Sequence, residues 1–125
     1  MTNVVKHAWK DVKTEELNPL LSRQVLTAKD TMIAKVILKK GCIVPAHHHV
    51  NEQVTYILDG CLRFWVGDHA ANPGNEYVDV GAGEVLLIPS NVPHRAEALV
   101  DTLDIDVFNP PRADWLDGTD AYLRK

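Results

Sequence analysis

Hydrophobic and polar positions alternate in short runs along most of the chain, with a period close to that of a β-strand. Runs rich in valine, isoleucine, leucine, threonine and aromatic residues recur about every ten residues from Ser22 onward, separated by Gly, Pro, Asn and Asp. Such runs are typical of strands joined by tight turns. The predicted strands are Gln24–Thr27, Met32–Lys39, Ala46–His49, Gln53–Leu58, Leu62–Val66, Tyr77–Val80, Glu84–Ile88, Arg95–Leu99 and Leu103–Phe108.

The turns and the two ends complete this prediction. Asp59-Gly60 is a strong signal for a two-residue hairpin turn. The first twenty residues are polar and predict an N-terminal arm with one helical turn over residues 14–17, and the tail after Pro111 allows a short helix. Many short strands without helical periodicity predict an all-β jelly-roll barrel, one domain over residues 1–125 with a core over about 22–110.

Composition and charge narrow the possible functions. The chain has 13 basic and 17 acidic residues, a net charge of −4, which argues against a protein that binds nucleic acid or an anionic membrane. No apolar run approaches the roughly 18 residues that span a bilayer, and the N-terminus lacks an apolar leader. Cys42 and Cys61 are too few for a disulfide framework, so we expect free thiols in a cytoplasmic protein.

The histidines are the clearest candidates for a chemical function. There are six histidines, and three of them are consecutive at positions 47–49. On an extended strand His47 and His49 point to one face and His48 to the other, so two imidazoles can lie side by side around one metal ion. His94 follows a turn bracketed by prolines, whereas His7 and His69 lie outside any pattern and are predicted to be solvated.

These segments resemble the two sequence motifs of the cupin family. The first motif contains a glycine, His-x-His, a glutamate and a second glycine, and this chain matches it at Gly41, His47, His49 and Gly60, with Gln53 where glutamate is usual. The second motif is matched at Gly83, Pro89 and His94, with Asn91 in place of glycine and Ala98 in place of asparagine. Asn91 is a mild change because asparagine tolerates left-handed backbone. The chain is therefore similar to single-domain cupins.

The resemblance implies one divalent transition metal, held by His47, His49, Gln53 and His94. Nickel, zinc, manganese, iron and copper all suit such a site. A neutral glutamine leaves the ion its full charge, which favours an anionic ligand. Glu52 is the alternative ligand, but on a regular strand it faces away from Gln53, so Gln53 is preferred.

The last predicted strand adds candidate catalytic residues. It places Leu103, Ile105 and Val107 on one face and Asp104, Asp106 and Phe108 on the other, so the acidic row lies either in solvent or in a pocket. The order of Asp106, Phe108 and Arg112 resembles the end of small cupins of pectin and alginate breakdown that open the ring of 4,5-unsaturated uronates. That resemblance implies proton transfer by Asp106, an apolar wall from Phe108, and a two-pronged contact of Arg112 with a substrate carboxylate.

The sequence is also compatible with two other functions. An iron-dependent dioxygenase could use the same three histidines, and a non-catalytic cupin could bind a small molecule without turnover. In each case the expected partner is a small anionic metabolite. Because an open sheet edge must be covered and cupins commonly pair, we also expect a homodimer.

Overall fold

The structure, a computed structural model, describes residues 3–125. These residues form one α-helix, α1 (Ala113–Asp117), three single turns of 3-10 helix at Trp9–Asp11, Gly67–His69 and Ala121–Leu123, and ten strands. The strands are β1 (Glu15–Asn18), β2 (Leu21–Thr27), β3 (Met32–Leu38), β4 (Ile43–His47), β5 (Glu52–Asp59), β6 (Cys61–Val66), β7 (Val78–Gly81), β8 (Val85–Ile88), β9 (His94–Ala98) and β10 (Thr102–Asn109).

Two antiparallel sheets make up the fold. One has six strands in the order β1-β2-β3-β10-β5-β8, and the other has four in the order β4-β9-β6-β7. Strands β3, β5 and β9 bury alternate side chains between the sheets and leave most of the others exposed or half-buried, as the period of two requires. The predicted all-β jelly-roll barrel is confirmed, and so is the short helix in the C-terminal tail.

The hydrophobic core lies between the two sheets and reaches further along the chain than the expected range of 22–110. Its centre holds fully buried aliphatic and aromatic side chains such as Ile57 and Phe64. Leu17 on β1 and Leu123 in the last turn also belong to it, with 7 % and 5 % of their surface exposed. Both ends of the chain are therefore attached to the barrel by apolar burial.

Two turn positions have backbone conformations that explain their residue types. Gly60 has a φ of +95°, and a Cβ atom there would lie 2.5 Å from the backbone oxygen of Asp101, so only glycine fits this hairpin. Asn91 has a φ of 62°, in the left-handed region. The motif has glycine at that position, and asparagine adopts the same conformation at small cost.

The acidic row of β10 faces the inside of the barrel. Asp104, Asp106 and Phe108 have 3 %, 6 % and 1 % of their surface exposed, whereas the aliphatic residues between them lie half-buried on the outer face. The interpretation of this row as a solvent-facing surface is therefore wrong. Antiparallel pairing places Asp106 between Ala34 of β3 and Thr55 of β5.

Two local predictions are corrected by the structure. Residues 14–17 are not a helical turn, because Glu15–Asn18 form β1 and pair antiparallel with β2. Tertiary pairing and the burial of Leu17 outweigh the weak local preference for helix. The predicted strand Ala46–His49 instead ends at His47, so His49 lies just beyond β4.

The N-terminal arm and the cysteines have simple structural roles. Gln24 of β2 donates hydrogen bonds from Nε2 to the carbonyl oxygens of Trp9 and Val12, at 2.8 and 2.7 Å, and so holds the arm on the sheet. Cys42 is buried and Cys61 is half-buried, and both thiols are free as predicted. Burial raises the pKa of Cys42 to about 11, which makes it unreactive. Within residues 3–125, no helix combines the length and the apolar character needed to cross a bilayer.

Candidate metal centre

His47, His49 and His94 converge at one end of the barrel. Strands β4 and β9 are paired so that His47 lies directly opposite His94, and His49 follows two residues later. One ring nitrogen from each histidine lies within 4.8 Å of the other two. The ring centres of His47 and His94 are 4.3 Å apart, and those of His49 and His94 are 5.0 Å apart. The three predicted imidazole ligands are therefore brought together.

Backbone carbonyl groups orient all three rings. The Nδ1 atoms of His47, His49 and His94 lie 2.8, 2.9 and 2.9 Å from the carbonyl oxygens of Pro45, Asn51 and Val92, respectively. A carbonyl oxygen only accepts, so each Nδ1 carries the proton and each Nε2 has a free lone pair. The Nε2 atoms of His49 and His94 are buried and have no hydrogen-bond partner. Buried nitrogen atoms of this kind fit a metal ion.

The electrostatic environment keeps these imidazoles neutral. Burial is the largest cause in each case, and it lowers the pKa of His47 to about 3 and that of His49 to about 4. Burial also lowers the pKa of His94, and the positive charge of Arg112 acts in the same direction on all three rings. Three neutral imidazole donors are a set that divalent transition metals prefer.

We expect metal affinity to fall much less with decreasing pH than it would in a site of three ordinary histidines. Three imidazoles with the usual pKa would lose affinity by roughly ten thousandfold between about pH 7 and about pH 5, because protons compete for the nitrogen atoms. With the lowered pKa values of His47 and His49, those two rings together contribute a loss of less than about twofold, and His94, whose pKa is also lowered, contributes at most about twenty-fivefold. Competition with a chromophoric chelator at several pH values measures this. A loss of about a thousandfold or more between about pH 7 and about pH 5 would contradict it.

Gln53 lies in the same site and Glu52 does not. Gln53 is on the inner face of β5 with 7 % of its surface exposed, whereas the neighbouring Glu52 is exposed on the outer side. The Nε2 of Gln53 donates to Thr55 Oγ1 at 2.9 Å, which leaves its Oε1 free. Of the two candidate oxygen ligands, only Gln53 lines the cavity with His47 and His94.

A buried hydrogen-bonded chain joins Gln53 to Asp106. Thr55 accepts from Gln53 and donates from Oγ1 to Asp106 Oδ1 at 2.8 Å. Asp104 lies on the same inner face of β10 as Asp106, and burial raises the pKa of both carboxyl groups. The pair therefore holds a proton at higher pH than an exposed carboxylate does. Thr55 was not singled out in the sequence, because its inward direction depends on which face of β5 is buried.

Arg112 is buried in a network of its own. Its Nε and Nη2 donate to the two carboxylate oxygens of Asp114, both at 3.0 Å, and Nη2 also donates to the hydroxyl of Tyr122 at 2.5 Å. Its guanidinium carbon lies 5.1 Å from the centre of the Phe108 ring. The predicted residues Asp106, Phe108 and Arg112 therefore share one site. However, the two Arg112 nitrogen atoms that could bind a carboxylate together, Nε and Nη2, already donate to Asp114.

Asn51 is a positioning residue that the sequence did not reveal. Its backbone oxygen accepts from His49, and its side-chain Nδ2 donates to the carbonyl oxygens of Pro110 and Pro111, at 2.6 and 3.2 Å. It thereby ties a metal-site histidine to the segment that leads into Arg112. No sequence pattern marks this contact, because its partners lie about sixty positions away.

An inner cavity of about 60 Å³ lies inside the barrel, and His47, Gln53 and Asp106 are among the residues that line it. This volume suits a few water molecules or one end of a ligand, and a whole sugar acid needs more room. An open cleft of about 530 Å³, lined by residues 67–68, 70–72 and Pro93 among others, borders the other side of His47. His48 lines that cleft and is exposed, as are His7 and His69. The polar side chains around the inner cavity are His47, Gln53, His94, Asp104, Asp106, Arg23, Arg112 and Tyr122.

Comparison with solved structures supports the same architecture. KdgF from Halomonas sp. matches with a TM-score of 0.79 at 22 % identity, over 90 % of this chain and 99 % of that one. An RmlC-like cupin from Shewanella frigidimarina matches with a TM-score of 0.76 at 25 % identity, over 87 % and 93 % of the two chains. Oxalate decarboxylase from Bacillus subtilis, a protein with Mn(II) centres, matches with a TM-score of 0.72 at 22 % identity, over 88 % of this chain and 31 % of that one.

Sequence comparison identifies the family. No curated protein matches the chain. The model of the Cupin domain family does match, over residues 34–107, which is more than half of the chain. That range contains both histidine motifs and most of the barrel. The chain therefore belongs to the cupin family, as a cupin that resembles KdgF.

Proposed function

We propose that this cupin is a metal-dependent enzyme that opens the ring of a 4,5-unsaturated uronate to give the linear keto form. The observation that carries the proposal is the buried hydrogen-bonded chain from Gln53 through Thr55 to Asp106, which lies around the same cavity as His47 and His94 and ends in a carboxyl group whose pKa is raised by burial. Arg112 and Phe108 border the same cavity. The order of Asp106, Phe108 and Arg112, which resembles uronate-opening cupins, supports the same substrate class.

A divalent metal ion would be held by Nε2 of His47, His49 and His94 and by Oε1 of Gln53. These are the atoms that the hydrogen bonds within the protein leave free. When bound, a divalent ion supplies Lewis acidity that polarises a hydroxyl or carbonyl oxygen. Nickel, zinc, manganese, iron and copper remain candidates because nitrogen-rich sites accept all of them.

Asp106 moves the proton in this proposal. Ring opening removes a proton from the anomeric hydroxyl, breaks the bond between the anomeric carbon and the ring oxygen, and adds a proton to the carbon chain as the enol becomes a ketone. Atoms and electrons balance without a co-reactant. A buried carboxyl group with a raised pKa is a stronger base than an exposed carboxylate, so it is suited to accept a proton and return it. Thr55 holds Asp106 in place by donating to Oδ1.

Arg112 and Phe108 bind the rest of the substrate. Since Asp114 occupies Nε and Nη2 of Arg112, the substrate carboxylate contacts the remaining nitrogen, Nη1. The predicted contact of two Arg112 nitrogen atoms with the substrate carboxylate is therefore replaced by a contact through Nη1 alone. Phe108 is 1 % exposed and provides an apolar surface beside His49, whose ring centre lies 5.9 Å away.

The function is tested with purified, metal-loaded protein and 4,5-unsaturated galacturonate. We expect loss of the ring chromophore well above the spontaneous rate, and no consumption of oxygen. Oxygen uptake by the iron-loaded protein would assign it to the dioxygenases instead. Binding of the sugar acid without turnover would assign it to the non-catalytic cupins.

We further propose that two copies pair through the outer face of the six-stranded sheet. That face carries a row of apolar side chains on β5 and the edge strand β8, where Tyr56, Leu58, Val85 and Leu87 are 40 %, 43 %, 53 % and 70 % exposed. Ile33 on β3 continues the patch, and the half-buried Ile105 and Val107 lie between. A contiguous apolar face at a sheet edge favours association with a second copy.

Leu87→Asp is expected to convert this dimer to a monomer. A charge on the most exposed apolar residue of the patch opposes its burial against a partner, and folding is unaffected because Leu87 is 70 % exposed. Size-exclusion chromatography with light scattering measures the mass. Val100→Asp, at an exposed turn outside the patch, is the matched control and should remain dimeric. A monomeric wild type would contradict this proposal and leave the enzymatic one untouched.

A further inference from the structure

The C-terminal segment builds one wall of the cavity. Trp115, Tyr122 and Leu123 line it, although they lie beyond the last strand. Residues on both sides of Tyr122 are anchored. Asp120 is fully buried and its Oδ2 lies 2.7 Å from Arg23 Nη1, and the carbonyl oxygen of Leu123 accepts from Asn18 Nδ2 at 3.0 Å. The position of Tyr122 is therefore set by the fold and not by a loose tail.

Tyr122 connects the two ends of the proposed active site. Its ring centre lies 4.8 Å from that of His47, at the metal end. Its hydroxyl oxygen accepts a hydrogen bond from Nη2 of Arg112, at the end proposed to bind a carboxylate. Among the residues that line the cavity, Tyr122 is the one that carries a hydroxyl group.

The hydrogen-bond inventory of this hydroxyl points to an anionic ligand. The oxygen uses a lone pair to accept from Arg112, and its own hydrogen is left to donate. A donor polarised by an adjacent cation is strongest toward a negatively charged oxygen. The Tyr122 O–H and the Nη1 of Arg112 thus offer two neighbouring donors, which matches the two oxygens of a carboxylate.

We propose that Tyr122 contacts the carboxylate of the bound sugar acid and determines the preference of the site for acidic over neutral sugars. The inference rests on the proposed function for the identity of the substrate class. Tyr122 lines the inner cavity together with His47 and Arg112, so a ligand whose carboxylate enters this cavity lies beside its hydroxyl group. Tyr122 lies between His47 and Arg112, where a carboxylate on such a ligand meets it.

The test compares Tyr122→Phe with wild type in the metal-loaded protein, by calorimetric titration with galacturonate and with its uncharged methyl ester. Loss of a hydrogen bond to a charged group is expected to weaken galacturonate binding by about tenfold or more and ester binding by less than about threefold. Phenylalanine keeps the ring packing against His47. Tyr77→Phe, which lies just before β7 and stacks against Arg63, is the matched control and should change neither affinity.

Each outcome decides the proposal. A loss confined to galacturonate supports it, and the ratio of the two affinities does not depend on the fraction of the variant that is folded. Equal losses for both ligands, or no loss, overturn it. If Tyr122→Phe loses affinity for galacturonate alone but wild type leaves unsaturated galacturonate intact, the proposed ring opening is wrong and the role of Tyr122 stands. If wild type opens the ring and Tyr122→Phe keeps full selectivity for galacturonate, the proposed ring opening stands and the role of Tyr122 is wrong.

Discussion

His94→Ala is expected to abolish stable metal binding and, with it, enzymatic activity. His94 is 3 % exposed, its Nδ1 is held by the Val92 carbonyl, and its Nε2 points to the other two histidines without a partner. Removing one of three nitrogen donors from a preformed site should lower metal affinity by about a hundredfold or more. Metal content after dialysis, followed by competition with a chelator, measures the effect.

The neighbouring His48 offers a matched control for that experiment. His48 is exposed, so His48→Ala should retain wild-type metal content and rate. Because His94→Ala also leaves a small cavity in the barrel, thermal unfolding of the metal-free proteins should accompany it, with His94→Gln as a larger replacement. Undiminished metal affinity in a folded His94 variant would show that the three histidines do not form the metal site.

Asp106→Asn is expected to lower kcat by about a hundredfold to ten thousandfold while metal binding is retained. Asparagine keeps the size of the side chain and the hydrogen bond from Thr55 but cannot accept a proton. Because the effect is on proton transfer, KM should change much less than kcat. The measurement is the rate of chromophore loss with 4,5-unsaturated galacturonate over a range of pH.

Asp30→Asn is the control for Asp106→Asn, because Asp30 lies exposed in the turn between β2 and β3. The pH profile separates a chemical role from a structural one. Because Asp106 accepts a proton in its carboxylate form, wild type should lose activity as the pH falls through the raised pKa of Asp106. The residual rate of the variant should lack that dependence. An Asp106→Asn protein that turns over substrate at the wild-type rate would show that Asp106 does not transfer the proton.

Several features of the site were predictable from local patterns. The spacing of His47 and His49, the turn before His94 and the left-handed conformation at Asn91 all follow from neighbouring residues, and the structure agrees with each. The inward direction of Gln53 and the outward direction of Glu52 also follow from alternation along β5. These inferences succeed because alternation and turn chemistry act over a few residues.

Other features depended on contacts between distant segments. The pattern of β10 shows two faces, but only the packing of the sheets decides that Asp104 and Asp106 point inward. The helical turn predicted over residues 14–17 is wrong because β2 offers a pairing partner that the local sequence does not contain. Likewise, Asp114 occupies Arg112 in a way that spacing alone did not suggest.

The sequence by itself therefore determined the β architecture, the family and the choice of the three clustered histidines. Each of these follows from residues close together in the chain, namely the alternation of apolar and polar residues and the two short motifs. The tertiary structure decided which faces are buried, which hydrogen bonds join Gln53 to Asp106, and that the C-terminal turn brings Tyr122 to Arg112. Those outcomes rest on apolar burial and on hydrogen bonds between side chains far apart in the chain. Only the folded barrel brings such groups within contact distance.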